Sequence, residues 1–237
     1  MNNPIAALPM YDWPERRAEV DGEWALVRDR LRQRGIDAPD SLTRDAVDLH
    51  DLWLRPNLLF SQTCWGPMEQ GLAQRVQLVG QPSYDGVEGG KGERYSSAIV
   101  MRLGSADVDA QPQAQAAIPL TLLRGARFAF NSADSMSGII ALGRDLEKLG
   151  ENLDIFAEQV VSGGHRLSIR ALAEGRADVA AIDCLSWRLA QLYEPAAQAV
   201  QVVGWTGLRK GLPFITSKET PPDVLAALQE AIGVTRN

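Results

Sequence analysis

Apolar residues in the first half of the chain form short runs of strand length, separated by polar or helically spaced segments. Such runs predict strands at residues 5–11, 57–63, 75–80 and 95–102. A helical spacing of apolar residues follows the first run and ends at Gly35. Because strands alternate with helices almost throughout, this pattern predicts a largely parallel α/β architecture.

The second half repeats a strand–turn–helix unit. The segment LLRGARFAF predicts a strand, NSADSMSG a turn and IIALGRDLEKLG a helix. The next unit, SGGHRLSIRALAEGRADVAAID at residues 162–183, reads as a glycine-rich turn, a helix, a second turn and a buried strand that ends on Asp183. In open α/β sheets, the carboxyl ends of strands and the amino ends of helices face one crevice, where ligands bind. His165 and Asp183 are therefore expected to face one ligand.

Residues 104–119 are rich in small residues, Gln and Pro, and this composition predicts a linker or hinge.

The charge and hydropathy of the chain bear on its possible partners and location. The net charge is -6 and the pI about 5.0, which disfavours nucleic acid because phosphate neutralisation needs a basic face. No segment is apolar enough to span a membrane. The start, MNNPIAALPMYDWPE, lacks the pattern of a secretory signal, so we expect a cytoplasmic protein if the chain is complete, or a processed form.

Two hydroxyl-bearing turns are the candidate anion sites. Asn131, Ser135, Ser137 and Gly138 directly precede a predicted helix, where free N–H groups, hydroxyls and the helix dipole attract an anion. Plain N-capping is the competing interpretation, since Ser and Asp are among the best caps. At the second turn, paired glycines allow close backbone approach, and His165 is either an oxyanion donor or an incidental histidine at a capped helix start.

Aromatic residues at predicted strand ends are candidates for the wall of a binding cleft. Tyr11 and Trp65 occupy such positions. Most aromatic residues in a chain of this type lie in the core, so packing is the competing interpretation for each.

Several enzyme and cofactor signatures are missing from the sequence. GVEGGKG around Lys91 is not a P-loop, and no G-x-G-x-x-G follows a strand. With only two histidines and no clustered cysteines, we expect neither a metal site nor a cofactor. The order Ser135, His165, Asp183 leaves a nucleophile–base–acid set as a residual possibility, since geometry defines such a set. Cys64 and Cys184 could form one disulfide or remain thiols.

The chain resembles the phosphate/phosphite/phosphonate-type substrate-binding proteins of ABC transporters. The resemblance rests on LPMYDWPE, FSQTCWGPM, LRGARFAFNSADSMSG, VVSGGHRLSIRALAEGRADVAAID and GLPFIT, in the family's order. It implies the type 2 periplasmic-binding fold, in which two α/β lobes joined by two crossings close over a ligand. Combined with the linker and a return at 204–213, it predicts one lobe at 1–108 plus 209–237 and the other at 109–208.

The resemblance also implies roles for the candidate residues. Ser135 to Gly138 and His165 would hold an oxyanion, Asp183 would meet an amino group or another polar part of the ligand, and Tyr11 and Trp65 would form first-lobe walls. Met136 interrupts the run of adjacent hydroxyls that phosphonate-binding relatives usually carry.

We therefore predict a non-enzymatic binder of a small anionic or zwitterionic solute, working with an ABC transporter permease. The resemblance implies a periplasmic location. The alternative is an enzyme or a cytoplasmic ligand sensor on the same fold, using His165 or Cys64.

Overall fold

The computed structural model describes residues 3–46, 48–105 and 118–233. Its contacts divide the chain into two compact units. Unit 1 comprises Met1–Pro82 and Leu212–Asn237, and unit 2 comprises Ser83–Gly211. The chain therefore leaves unit 1 once and returns to it once.

Unit 1 is an α/β unit built on a four-stranded sheet. Its elements are β1 (Ile5–Ala7), α1 (Arg17–Gln33), α2 (Leu49–Trp53), β2 (Leu58–Gln62), α3 (Trp65–Glu69), β3 (Val76–Gly80), β12 (Phe214–Ser217) and α8 (Pro222–Ile232). The strand order is β1-β2-β12-β3. The apolar faces of α1 and α8 pack together over the sheet, where Trp24, Phe60 and Phe214 stack in sequence. The helical spacing in the sequence therefore marks the buried face of this unit.

Unit 2 carries a five-stranded sheet and a small three-stranded sheet. Its elements are β4 (Gly90–Lys91), β5 (Arg94–Tyr95), β6 (Ser97–Arg102), α4 (Leu120–Leu123), β7 (Arg127–Phe130), a π-helical turn (Met136–Ile140), α5 (Ala141–Lys148), β8 (Glu158–Val161), α6 (His165–Ala173), β9 (Val179–Asp183), α7 (Cys184–Tyr193), β10 (Val200–Trp205) and β11 (Arg209–Lys210). The strand order is β10-β6-β9-β7-β8 in the larger sheet and β11-β5-β4 in the smaller one. Phe128 stacks on Phe156 at the centre of the core.

The strand directions differ from the predicted, largely parallel arrangement. Parallel pairs join β1 to β2 and β7 to both β8 and β9. β6 runs antiparallel to β9 and β10, and β12 runs antiparallel to β2 and β3. Hydrophobic periodicity reports which residues are buried and carries no information on strand direction, so the alternation of elements was an insufficient guide.

The boundary between the units also differs from the predicted one at 108/109. The chain passes from unit 1 to unit 2 after Pro82, because β6, which the prediction assigned to the first lobe, pairs with β9 and β10 of unit 2. Most of the predicted linker, residues 106–117, lies outside the described residues. The second passage, after Gly211, falls within the predicted return at 204–213.

Candidate anion-binding site

Three neighbouring parallel strands of unit 2 end at one edge of the sheet. They are β9, β7 and β8, and each is followed by a segment that carries candidate residues. Asn131 follows β7, the turn leading to His165 follows β8, and Asp183 is the last residue of β9. Because carboxyl ends of parallel strands meet at the same edge, residues far apart in sequence come together here.

Ser135 caps the helical segment after β7. Its Oγ accepts a hydrogen bond of 3.0 Å from the Gly138 amide. Ser135 therefore acts as an N-cap, which is one of the two interpretations that the sequence left open. Gly138 is needed because a Cβ there would lie 1.9 Å from Asn131 Oδ1. In the described part of the chain, no acceptor meets the Ser137 amide, as is usual in the first turn of a helix.

The turn before α6 sets the position of His165. Gly163 adopts a left-handed φ of 89°, which glycine tolerates and most residues do not. Ser162 Oγ lies 2.7 Å from Ser168 Oγ and 3.0 Å from the carbonyl oxygen of Phe130, which ties the turn to both α6 and β7. His165 is therefore held on a rigid turn as the first residue of α6.

The side chains of Ser137, His165 and Asp183 form a connected, nearly buried cluster. Ser137 Oγ lies 2.8 Å from His165 Nε2, and Asp183 Oδ2 lies 3.2 Å from the same nitrogen. Ser137 and Asp183 are buried, while the imidazole keeps 11% of its surface exposed. Ser135 Oγ is 3.4 Å from Ser137 Oγ, so the predicted hydroxyls and imidazole do lie together.

The sharing of one imidazole nitrogen bears on the nucleophile–base–acid interpretation. In a catalytic triad the serine meets one ring nitrogen and the acid meets the other, so that the base can take the hydroxyl proton. Here Ser137 and Asp183 both meet Nε2. It is also Ser137, and not Ser135, that contacts the ring. This arrangement holds the imidazole in place without preparing a serine nucleophile.

Two buried polar atoms near this cluster have no hydrogen-bond partner among the described residues. They are His165 Nδ1 and Asn131 Oδ1. Buried polar atoms are usually hydrogen-bonded. The amide oxygen of Asn131 accepts a hydrogen bond, and Nδ1 of His165 donates one when the imidazole is protonated. Burial lowers the pKa of His165 below its ordinary value of 6.5, and the negative charge of Asp183 opposes this shift. The neutral imidazole is thus favoured.

The lowered pKa predicts how stability depends on pH. The unfolded chain binds a proton at this histidine more readily than the folded chain does, so the free energy of unfolding should fall as pH drops from about 6.5 towards the lower folded-state pKa. Chemical denaturation of the wild type and of His165→Gln across this range measures the effect. The Gln variant should lose less stability on acidification, and His50→Gln, at an exposed position, should behave as the wild type. Equal acid sensitivity of all three proteins would refute this account.

Ser97 is a residue of this region that the sequence did not single out. It stands opposite Asp183 in the β6–β9 pair, and its Oγ donates a hydrogen bond of 3.0 Å to the Ser137 carbonyl oxygen. Its amide donates to Thr206 Oγ1 at 2.8 Å. The only available signal was a pair of serines opening an apolar strand, which is too common to interpret.

The two first-lobe candidates belong to unit 1. β1 ends at Ala7, earlier than predicted, because Pro9 lacks the N–H that a strand ladder requires. Tyr11 therefore lies beyond the strand and is buried. Trp65 is the first residue of α3, is half-buried, and has its Nε1 3.4 Å from Gln81 Oε1. Their contact with a ligand stays a prediction.

Across 3–46, 48–105 and 118–233, no three His, Cys, Asp or Glu side chains cluster as metal ligands would. No helix in these ranges has the length and apolarity needed to cross a bilayer. No disulfide joins Cys64 and Cys184, and burial raises the pKa of Cys184.

The fold is shared with solved binding proteins. PhnD1 from Prochlorococcus marinus, in complex with methylphosphonate, matches with a TM-score of 0.70 at 15% identity, over 97% of this chain and 83% of that one. A binding protein component of an ABC phosphonate transporter from Pseudomonas aeruginosa gives 0.65 at 14% identity, over 97% and 74%. A histidine kinase sensor domain similar to periplasmic binding proteins gives 0.58 at 15% identity, over 90% and 79%. These likenesses establish the two-lobe type 2 periplasmic-binding fold.

The family of the chain follows from a comparison of its sequence with family models. No curated protein matches the chain significantly. A family model described as "ABC transporter, phosphonate, periplasmic substrate-binding protein" matches residues 69–233, well over half of the chain and all of the residues that form the Ser137–His165–Asp183 cluster. With fold and family model in agreement, the chain belongs to the family of phosphonate substrate-binding proteins of ABC transporters.

Proposed function

We propose that the protein captures a small solute with a phosphonate- or phosphate-like headgroup and presents it to an ABC transporter permease. The solute-binding role follows from the family. The observation that supports an anionic headgroup is the pair of donors at one helix start, Ser137 Oγ and the Ser137 amide, beside the imidazole of His165, which donates from Nδ1 when it is protonated. Helix N-termini with free amides favour anions.

Binding without turnover is part of the proposal. The nitrogen shared by Ser137 and Asp183 does not suit a serine nucleophile. Family membership does not favour the enzyme or the cytoplasmic sensor that the sequence left open. We further propose a periplasmic location, which is typical of the family, and closure of the two lobes over the solute stays a prediction.

The proposal is tested by isothermal titration with methylphosphonate. Replacing Ser137 with alanine removes one hydroxyl donor to the headgroup, so affinity should fall by about 1.5 kcal/mol, roughly tenfold. Ser105→Ala, which removes an exposed hydroxyl bonded to the Arg102 carbonyl oxygen of its own turn, is the matched control and should bind as the wild type does. Wild-type protein that binds no methylphosphonate, or a Ser137→Ala variant with unchanged affinity, would count against the proposal.

A further inference from the structure

The carboxylate of Asp183 is fully engaged inside unit 2. Its Oδ1 accepts hydrogen bonds from the amides of Leu185 at 3.1 Å and Ser186 at 2.9 Å, which caps α7. Its Oδ2 lies 3.2 Å from His165 Nε2. Only 2% of the side chain is exposed. Neither oxygen is therefore presented to an incoming ammonium group.

The contact with Asp183 fixes the tautomer of His165. A carboxylate only accepts hydrogen bonds, so the Nε2 that faces it carries the proton. The same Nε2 also lies 2.8 Å from Ser137 Oγ. This leaves Nδ1, which is buried and has no partner in the described ranges of the chain. It donates a hydrogen bond to an oxyanion when the imidazole takes up a second proton, a step that a bound negative charge favours.

Asp183 is the charged group that acts on this imidazole. Its negative charge is the electrostatic influence on His165. The nearby arginines of α6, Arg166 and Arg170, are both paired with the buried Glu194. The site thus offers hydrogen-bond donors and one imidazole that can change its protonation state. The buried carboxylate of Asp183 is already engaged in hydrogen bonds.

We propose that Asp183 is a positioning residue that holds His165 through Nε2, and that the solute is an oxyanion without an amino group. The inference rests on the proposed function and deepens it. Of the two ligand classes open from the sequence, anionic and zwitterionic, it selects the anionic one. An ammonium group reaching Asp183 would have to break the cap of α7 or displace His165, and either change removes a contact that orders the site.

The test compares two probes that differ by an ammonium group, methylphosphonate and 2-aminoethylphosphonate. Each is titrated into the wild type and into Asp183→Asn, whose amide oxygen still caps α7 but whose charge is lost. Asp178→Asn, at the other end of β9 and paired with Arg127, is the control for losing one negative charge. Thermal unfolding checks that the variants remain folded.

The wild type should prefer methylphosphonate. Asp183→Asn should lower the affinity for both probes by a similar factor of about ten, since it acts through His165. The ratio of the two affinities should therefore change less than threefold. As pH rises, Asp183→Asn should lose its affinity at a lower pH than the wild type does, because the negative charge that favours the imidazolium is gone. Asp178→Asn should leave affinities and pH profile unchanged.

Three results would overturn the inference. The first is a wild-type preference for 2-aminoethylphosphonate. The second is an Asp183→Asn variant that loses at least tenfold more affinity for the aminated probe. Both leave the proposed function standing. Failure of the wild type to bind either probe overturns the proposed function and this inference with it.

A measurement on the wild type keeps the inference testable if Asp183→Asn does not fold. Nitrogen-15 NMR of the imidazoles at neutral pH reports their tautomers, and the chain has only two histidines, so His165→Gln assigns the signals. The inference expects His165 to carry its proton on Nε2. A proton on Nδ1 would overturn it.

Discussion

Replacing Ser137 with aspartate is expected to lower the affinity for methylphosphonate by at least about 100-fold. Two unit charges about 4 Å apart interact by roughly 4 kcal/mol near a protein surface, and this side chain lies at the centre of the proposed anion site, 2.8 Å from His165 Nε2. The new carboxylate would repel the headgroup and would also bind the imidazole that should meet it. Isothermal titration measures the loss.

Two variants separate charge from volume in this experiment. Ser137→Asn has nearly the same size as the aspartate and no charge, so it should lose far less affinity. Ser105→Asp adds the same charge at an exposed turn and should have little effect, since exposed charges are screened by salt. If Ser137→Asp binds within threefold of the wild type, Ser137 does not lie next to the bound headgroup.

Replacing Gly138 with alanine should have the second-largest effect, reducing both stability and binding. A Cβ at this position would lie 1.9 Å from Asn131 Oδ1 and 3.1 Å from Ser135 Oγ. Asn131 must then move, and the cap formed by Ser135 is strained. We expect a loss of about 1–3 kcal/mol in the free energy of unfolding, the usual result of overpacking, and about thirtyfold weaker binding of methylphosphonate, from two displaced polar groups.

Gly143 supplies the matched control within the same helical segment. The three atoms nearest to a Cβ there belong to the Leu153 side chain and lie 3.5 Å or more away, an ordinary contact. Gly143→Ala should therefore raise stability by about 0.5–1 kcal/mol, through the better helix propensity of alanine, without changing affinity. Urea unfolding and titration measure both quantities. Equal behaviour of the two variants would show that Asn131 and Gly138 are not closely packed.

The convergence of His165, Asn131 and Asp183 was accessible from the sequence for a physical reason. Asn131 follows and Asp183 ends a predicted strand, while His165 begins a predicted helix. The rule that strand carboxyl ends and helix amino ends face one crevice brings such residues together. β8, β7 and β9 are indeed adjacent and parallel. Ser135 was likewise recognisable as a helix cap, because its residue type and position suffice for that contact.

The features that were missed depend on pairing between distant segments. The insertion of β6 between β9 and β10 moved the boundary to Pro82 and placed Ser97 beside Ser137. An apolar strand looks the same whichever neighbours it pairs with. Ser137 and Asp183 both contact the same imidazole nitrogen. This contact depends on small distances and on the orientation of the ring, which the spacing of residues in the sequence does not determine.

A crystal structure of the wild-type protein with methylphosphonate tests the central claim most directly. The account predicts that phosphonate oxygens lie within hydrogen-bonding distance of His165 Nδ1 and of the hydroxyl or amide of Ser137, while Asp183 keeps its contacts with His165 Nε2 and the start of α7. A phosphonate bound elsewhere in the molecule, with His165 and Ser137 untouched, would contradict it.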